Sequence, residues 1–247
     1  MRLKRREPRW RIKRGVIAVS IVIAFIIILL YGPWFPLFEF RELVVAGNQH
    51  VSDEEIQYLT GFAIGDNILR LPLGRVRDDI LLLPWTKRVS VRRLLPHKVK
   101  IQIEEREEVA AIEVSAGING HLMAIDAEGY ILAELDKETN RGLVLRGVAD
   151  ENINPGDSID PAGVLVLAAL WRAGLTTGPF TVADLTDRSN LLLFGPDDLK
   201  VWLGSLNSID ERVDALSALI DAFNLQHYRS IDLRFRGKAI LTPRTRR

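Results

Sequence analysis

Apolar residues along the chain first run without interruption and then settle into short periods. The stretch "GVIAVSIVIAFIIILLYGPWFPLF", Gly15 to Phe38, contains no charged residue. About 20 such residues suffice for a helix to cross a hydrocarbon layer of roughly 30 Å. The run predicts one transmembrane helix over residues 15–37, with Tyr31 and Trp34 in the far interfacial belt. "FRELVVAGNQHVSDEEIQYL" then predicts a strand from Phe40 to Val45, a turn at Gly47-Asn48 and a helix start. Ser52 and Glu55 form a capping box there, and Val51 and Ile56 a hydrophobic staple.

A second helix is predicted around Leu73 to Leu83, because Leu73, Val76, Ile80 and Leu83 share one face and Pro84 stops the run. The period then changes to two. Val89 and Val91 oppose Arg88, Ser90 and Arg92, and beyond Pro96 the residues Val99, Ile101 and Ile103 oppose Lys98, Lys100 and Gln102, which predicts a hairpin. The order β-α-α-β-β, with both helices on one face of a three-stranded sheet, fits within about 70 residues, enough for a small domain.

From Glu107 a second domain is predicted. "HLMAIDAEGYILAEL" reads as a hairpin turning at Asp126 to Gly129, followed by "LVLRG", a loop, and a helix in "PAGVLVLAALWRAGL" with Pro161 in its first turn. "FTVADLTDRSNLLLFGPDDLKVWLGS" supplies three short strands of an antiparallel meander, with turns at Asp187 to Ser189 and Gly195 to Asp198. The last helix starts at Ser208, capped with Glu211, and carries Ile209, Val213, Leu216, Ile220 and Phe223 on one stripe. A closing strand pair follows, in which Ile231, Leu233 and Phe235 alternate with Asp232, Arg234 and Arg236 before a tight turn near Gly237.

Charge adds an orientation to this plan. Met1 to Arg14 hold eight Lys or Arg against Glu7, a net +7 in a chain whose formal total is +1, so the remaining residues are net −6. The positive-inside rule places that tail in the cytoplasm and everything beyond Phe38 on the other side. A cleaved signal peptide would share the basic start, but the bulky "YGPWFPLF" offers no small-residue cleavage site. The tail's cations are accounted for by topology and anionic headgroups without nucleic acid.

The chemistry of a catalytic site is not evident. There are no cysteines, and His50, His97, His121 and His227 fall in separate turns or element ends without metal-ligand spacing. Asp53-Glu54-Glu55 suits the first turn of a helix, and neither a nucleophile elbow nor a phosphate-binding loop occurs. Arg88, Arg92, Arg93, Lys98 and Lys100 on the hairpin could neutralise phosphates, but that face lacks aromatics on which bases could stack. No cofactor, no metal, no nucleic acid and no enzymatic activity are expected.

The chain resembles the bacterial cell-division family FtsQ, called DivIB in its Gram-positive relatives. The resemblance is carried by the basic tail and single span, by "FRELVVAGNQHVSDEEI" with "GDNILRLPLGRVRDDILLLPWTKRVSVRRLLPHKVKIQIEEREEVAAI", and by "MAIDAEGYIL", "LKVWLG" and "SIDLRFRGKAIL" in order. Where the family usually has proline after its E-R motif, this chain has Glu107-Glu108-Val109. The resemblance implies an α+β protein: a cytoplasmic tail over 1–14, the span over 15–37, a POTRA domain over 38–106, an antiparallel β domain with flanking helices over 107–243, and a basic end over 244–247. It further implies a non-enzymatic scaffold of the inner membrane and midcell septum, N-terminus cytoplasmic and later domains periplasmic. Its partners would be FtsB and FtsL, with other division proteins reached through the POTRA domain or the span.

The family's partner surface lies on the last strand and the helix before it, which by match of motif implies Arg234, Phe235, Gly237, Ala239, Ile240, Leu241 and Thr242. The turn here is one residue shorter, which shifts Leu241 and Thr242 relative to the family pattern. Residue chemistry points to the same place, because a strand followed by Pro243 and a few charges has nothing to cover its edge. Phe235 reads as either a core aromatic or an interface residue. A membrane-anchored POTRA chaperone of envelope-protein export or assembly is the alternative function.

Overall fold

The computed structural model describes residues 9–31, 36–114, 121–136, 142–150 and 152–244, with side chains of the first helix described over 16–28. The basic residues before Arg9, the belt position Trp34 and the residues after Arg244 lie outside this set. Helix α1, Arg9–Tyr31, is continuous, and Val16 to Ile28 are exposed on every side. Among the described residues no helix is long and apolar enough to cross a membrane. The chain divides into two compact units, one of residues 1–81 with 88–105, the other of 82–87 with 106–247.

The first unit contains β1 (Glu42–Ala46), α2 (Asp53–Thr60), α3 (Leu73–Leu81), β2 (Thr86–Leu94) and β3 (Lys98–Glu105). The sheet order is β1-β3-β2, with β1 parallel to β3 from Glu42↔Lys98 to Ala46↔Gln102. Val99, Ile101 and Ile103 of β3 are buried, as are Ile56 of α2 and Val76 and Ile80 of α3. Alternation and helical spacing thus meet in one core, each large side chain contributing about 1.5–3 kcal/mol on burial. Helix α3 ends two residues before the predicted Leu83, and β1 starts two residues after the predicted Phe40.

The Gly47-Asn48 turn has physical causes. Gly47 has φ +87°, and a Cβ there would lie 2.1 Å from the Ile103 carbonyl oxygen, so no other residue fits. The amides of Gln49, His50 and Val51 donate to the Glu105 carboxylate at 2.8–3.1 Å, and the His50 ring nitrogen lies 2.9 Å from it. Ser52 Oγ accepts from Glu55 N, which caps α2. Burial pushes the Glu105 carboxyl up, but the bonds from Gln49, His50 and Val51 outweigh it and hold the group below the usual carboxylate range. A group lowered on folding stabilises fully above its unfolded pKa and loses that contribution as pH falls through the folded value. Glu105→Gln is therefore expected to lower the stability of this unit by about 2 kcal/mol at neutral pH. In urea unfolding the gap between variant and wild type should close as pH falls below the usual carboxylate range; a gap constant with pH would refute the linkage.

Of Arg88, Arg92, Arg93, Lys98 and Lys100 on the β2–β3 hairpin, four are engaged by protein groups. Arg88 pairs with Glu104, Lys98 with Glu42, and Arg92 donates to the Ser90 hydroxyl. Arg93 donates to the carbonyls of Ile68 and Leu71, both at 2.7 Å.

The second unit is built on one nine-stranded sheet. Its strands are β4 (Ala110–Val114), β5 (His121–Ile125), β6 (Ile131–Leu135), β7 (Val144–Arg146), β8 (Val182–Asp184), β9 (Leu191–Phe194), β10 (Lys200–Gly204), β11 (Tyr228–Asp232) and β12 (Ile240–Pro243). Helix α4 (Pro161–Arg172) lies between β7 and β8, and α5 (Ile209–Ala222) between β10 and β11. The sheet order is β12-β11-β10-β9-β8-β7-β4-β5-β6.

This corrects the expectation of an antiparallel domain, because β4/β7, β7/β8 and β10/β11 pair in parallel. A helix between two neighbouring strands carries the chain back along one face, so the next strand repeats the direction of the last. Both helices bury into one apolar cluster, Val166, Leu167 and Leu170 of α4 with Val213 and Leu216 of α5, against Ile112, Leu145, Leu193, Val201 and Ile231 of the sheet. Pro161 occupies the first turn of α4, as predicted, and Asp160 caps it through Gly163 N. Helix α5 differs: Ser208 precedes it but makes no side-chain cap, since a 3-10 turn, Leu206–Ser208, leads into the helix. Phe223 falls beyond α5 in extended conformation and is 48% exposed, so it leaves the predicted stripe.

At the β5–β6 turn, Asp126 is buried and accepts from the amides of Glu128 and Tyr130 at 2.9 Å. Arg106 donates to Asp126 at 2.6 Å and to Glu128 at 3.1 Å, and lies 4.0 Å over the Tyr130 ring.

Candidate partner-binding site

Strand β12 ends the nine-stranded sheet and, among the described residues, pairs on one side only, antiparallel to β11, with Ile231↔Leu241 and Asp232↔Ile240 in register. Its four residues therefore turn half of their backbone donors and acceptors toward solvent. Pro243 closes the strand, and prolines are tolerated on such edges. Arg244 fixes the far end: its backbone N–H donates to the His227 carbonyl at 2.8 Å and its guanidinium to the Asp197 carbonyl.

The residues before β12 form a turn rather than an extension of β11. The Asp232 carboxylate accepts the backbone N–H of Arg234 at 3.0 Å, a local bond that ends the ladder at Asp232. The Arg234 guanidinium returns to the same carboxylate at 2.6 Å, reaches Asn190 at 3.3 Å and lies 5.7 Å from the Trp202 ring. Hydrogen bonds from Arg234, with burial opposing, hold the Asp232 carboxyl below the usual range, and the same pair raises Arg234. The Lys238 amide then closes a turn on the Phe235 carbonyl at 3.2 Å, with Gly237 at φ +69°.

This turn places Phe235 off the strand, 52% exposed, on the wall of a groove of about 700 Å³ between α5 and residues 233–239. Ala215, Ala218 and Leu219 of α5 form the apolar side opposite Phe235, and Arg212, Arg236 and Lys238 stand at the rim with Glu211. Of the residues expected from sequence, Phe235, Gly237 and Ala239 line this groove, and Ile240 and Thr242 are exposed on β12. Leu241 is different: it is half-buried and packs on the core, so it presents backbone but little side chain. Arg234 is turned to Asp232 and Trp202. The contribution of α5 residues was not named in advance, although the small Ala215 and Ala218, three apart and off the buried stripe, are a visible signal for a helix face with room above it.

The four histidines do not converge, and among the described residues no group of three or more His, Asp or Glu side chains could hold a metal ion.

Comparison with known proteins bears on what such an edge and groove serve. The FtsQ-type POTRA domain family matches residues 38–106. The cell division protein FtsQ of Rickettsia felis is 30% identical over 81% of this chain and 71% of its own length. Those of Koribacter versatilis and Corynebacterium glutamicum are each 26% identical, over 92% and 83% of this chain and 70% and 89% of their own lengths. An alignment that extends from the POTRA unit through most of the second unit covers more than a shared domain type, and the chain belongs to the FtsQ family of cell division proteins.

Proposed function

We propose that this protein is a non-enzymatic, single-pass membrane scaffold of the bacterial division machinery, which holds FtsB- and FtsL-type partners on β12 and thereby couples early division proteins to septal wall synthesis. The observation that carries the reading is an edge strand with one open side beside an apolar groove with a basic rim, on a member of the FtsQ family. The edge offers main-chain bonds to an added strand, and the groove offers apolar anchorage and cations to a flanking segment with acidic residues.

Anchoring rests on α1. Its apolar residues from Val16 to Ile28 are exposed all round, and the charge-free run continues to Phe38. A helix apolar on every face needs apolar surroundings, which the hydrocarbon layer provides. The arginine-rich start then sets the N-terminus in the cytoplasm and the two folded units in the periplasm.

Depletion of the protein followed by microscopy is the test. Long undivided cells with normal envelope-protein content are the expected result. Normal septation with loss of envelope proteins would overturn the division role in favour of assistance to protein export.

A further inference from the structure

We propose that the tip of the β2–β3 hairpin, Leu94-Leu95-Pro96, seats in the headgroup layer of the bilayer from which α1 emerges, as an apolar contact flanked by cations that favours anionic lipid. The proposal rests on the reading that α1 crosses the membrane.

The direction of the strands sets the position of the tip. Because β1 and β3 are parallel and begin together at Glu42↔Lys98, the turn before β3 lies at the end of the unit where the chain enters β1. The Arg41 amide donates to the His97 carbonyl at 2.9 Å, which ties the starts of the two strands together. Residues 32–37 are all that separates α1 from Phe38. Even fully extended they place Phe38 within about 25 Å of the helix end. The opposite end of the unit, with Gln49 and Glu105, lies one strand length from the residues where the chain enters β1.

The chemistry of the tip fits that position. Leu94 and Leu95 are 45% and 56% exposed, and Leu37, at the same end, is 60% exposed. Solvent-exposed hairpin turns favour Gly, Asn, Asp and Ser, not adjacent leucines. The tip is also clamped: Arg93 binds the Ile68 and Leu71 carbonyls, so the leucines are held outward by the fold. Arg92 on β2 and Lys98 on β3 flank it, against Glu42, the ion-pair partner of Lys98. An apolar tip with a cationic collar is the composition that enters an anionic interface to a shallow depth.

The absence of cysteine allows a direct test with the full-length protein. Leu95→Cys, Gln49→Cys and Phe25→Cys are each labelled with bimane and reconstituted in vesicles of phosphatidylcholine with or without phosphatidylglycerol, containing lipids spin-labelled near the headgroup or in the chain. Shallow insertion predicts that the label at Leu95→Cys loses roughly half of its fluorescence to the headgroup-proximal quencher, less without phosphatidylglycerol, while Gln49→Cys is unaffected. Quenching at Phe25→Cys by chain-labelled lipid reports the span separately. Quenching at 25 without quenching at 95 overturns the tip contact and leaves the span standing; quenching at 95 alone supports the contact and overturns the span. Loss at neither position overturns both, and equal quenching at 95 in vesicles without phosphatidylglycerol overturns the preference for anionic lipid.

Discussion

Phe235→Glu and Ala239→Pro should each abolish capture of an FtsB-type partner by the full-length protein, weakening binding by about 30-fold or more. Phe235 is half exposed on the groove wall, so a carboxylate there would be desolvated by any apolar segment that enters. Ala239 is exposed and directly precedes β12, so proline removes a backbone donor at the start of the edge without deleting a core side chain. Both substitutions spare Leu241, the residue through which β12 packs on the core. Circular dichroism and the unfolding midpoint should therefore stay close to wild type. Full-strength capture by folded variants would refute the edge-strand reading.

The largest loss of stability is expected at Arg106. Its side chain is 16% exposed and that of its partner Asp126 5% exposed, so Arg106→Ala leaves a carboxylate out of water without its cation. Breaking such a pair costs about 3–5 kcal/mol, which for a unit of this size lowers the thermal midpoint by roughly 10 °C. Two amides still donate to Asp126, so the β5–β6 turn itself should persist. Adding Asp126→Asn to Arg106→Ala removes the stranded charge and should recover part of the loss. If the double variant is no more stable than the single one by differential scanning calorimetry, the cost lies in lost packing on Tyr130 and not in an unpaired charge.

The first unit was legible because its signals are local. Ser52 caps α2, Val51 and Ile56 are buried and β3 alternates, whereas α3 stops at Leu81, short of Pro84, and Val89, Ser90 and Val91 of β2 are all half-buried. The second unit was legible in its elements but not in its pairing. Strand direction depends on whether the connection returns along the sheet before the next strand or turns straight back beside the last, and nothing within "LKVWLG" or "YRSIDL" reveals that their strands run parallel across α5. Strand β4 lacks the alternating signal because four of its five residues are buried, on both faces of the sheet. It therefore reads as a short apolar run and not as period two. The alternation Ile231, Leu233, Phe235 pointed to a longer β11, but the Asp232 side chain captures the Arg234 amide and ends the strand. That bond moves Phe235 off the strand and to the groove. A side chain competing with the sheet for one backbone proton thus separates the aromatic's place in the pattern from its place in the fold.

The order of the nine strands carries a consequence in time. From β7 through β12 the neighbours in the sheet are also neighbours in the chain, so each strand can pair with the one made just before it, and β12 pairs after β11. The edge that β12 forms thus exists only once β11 is in place to receive it. A chain stopped short of Ile240 would lack both this edge and Leu241, through which β12 packs on the core. By its position in the sheet, β12 makes the edge beside the groove conditional on the strands that precede it.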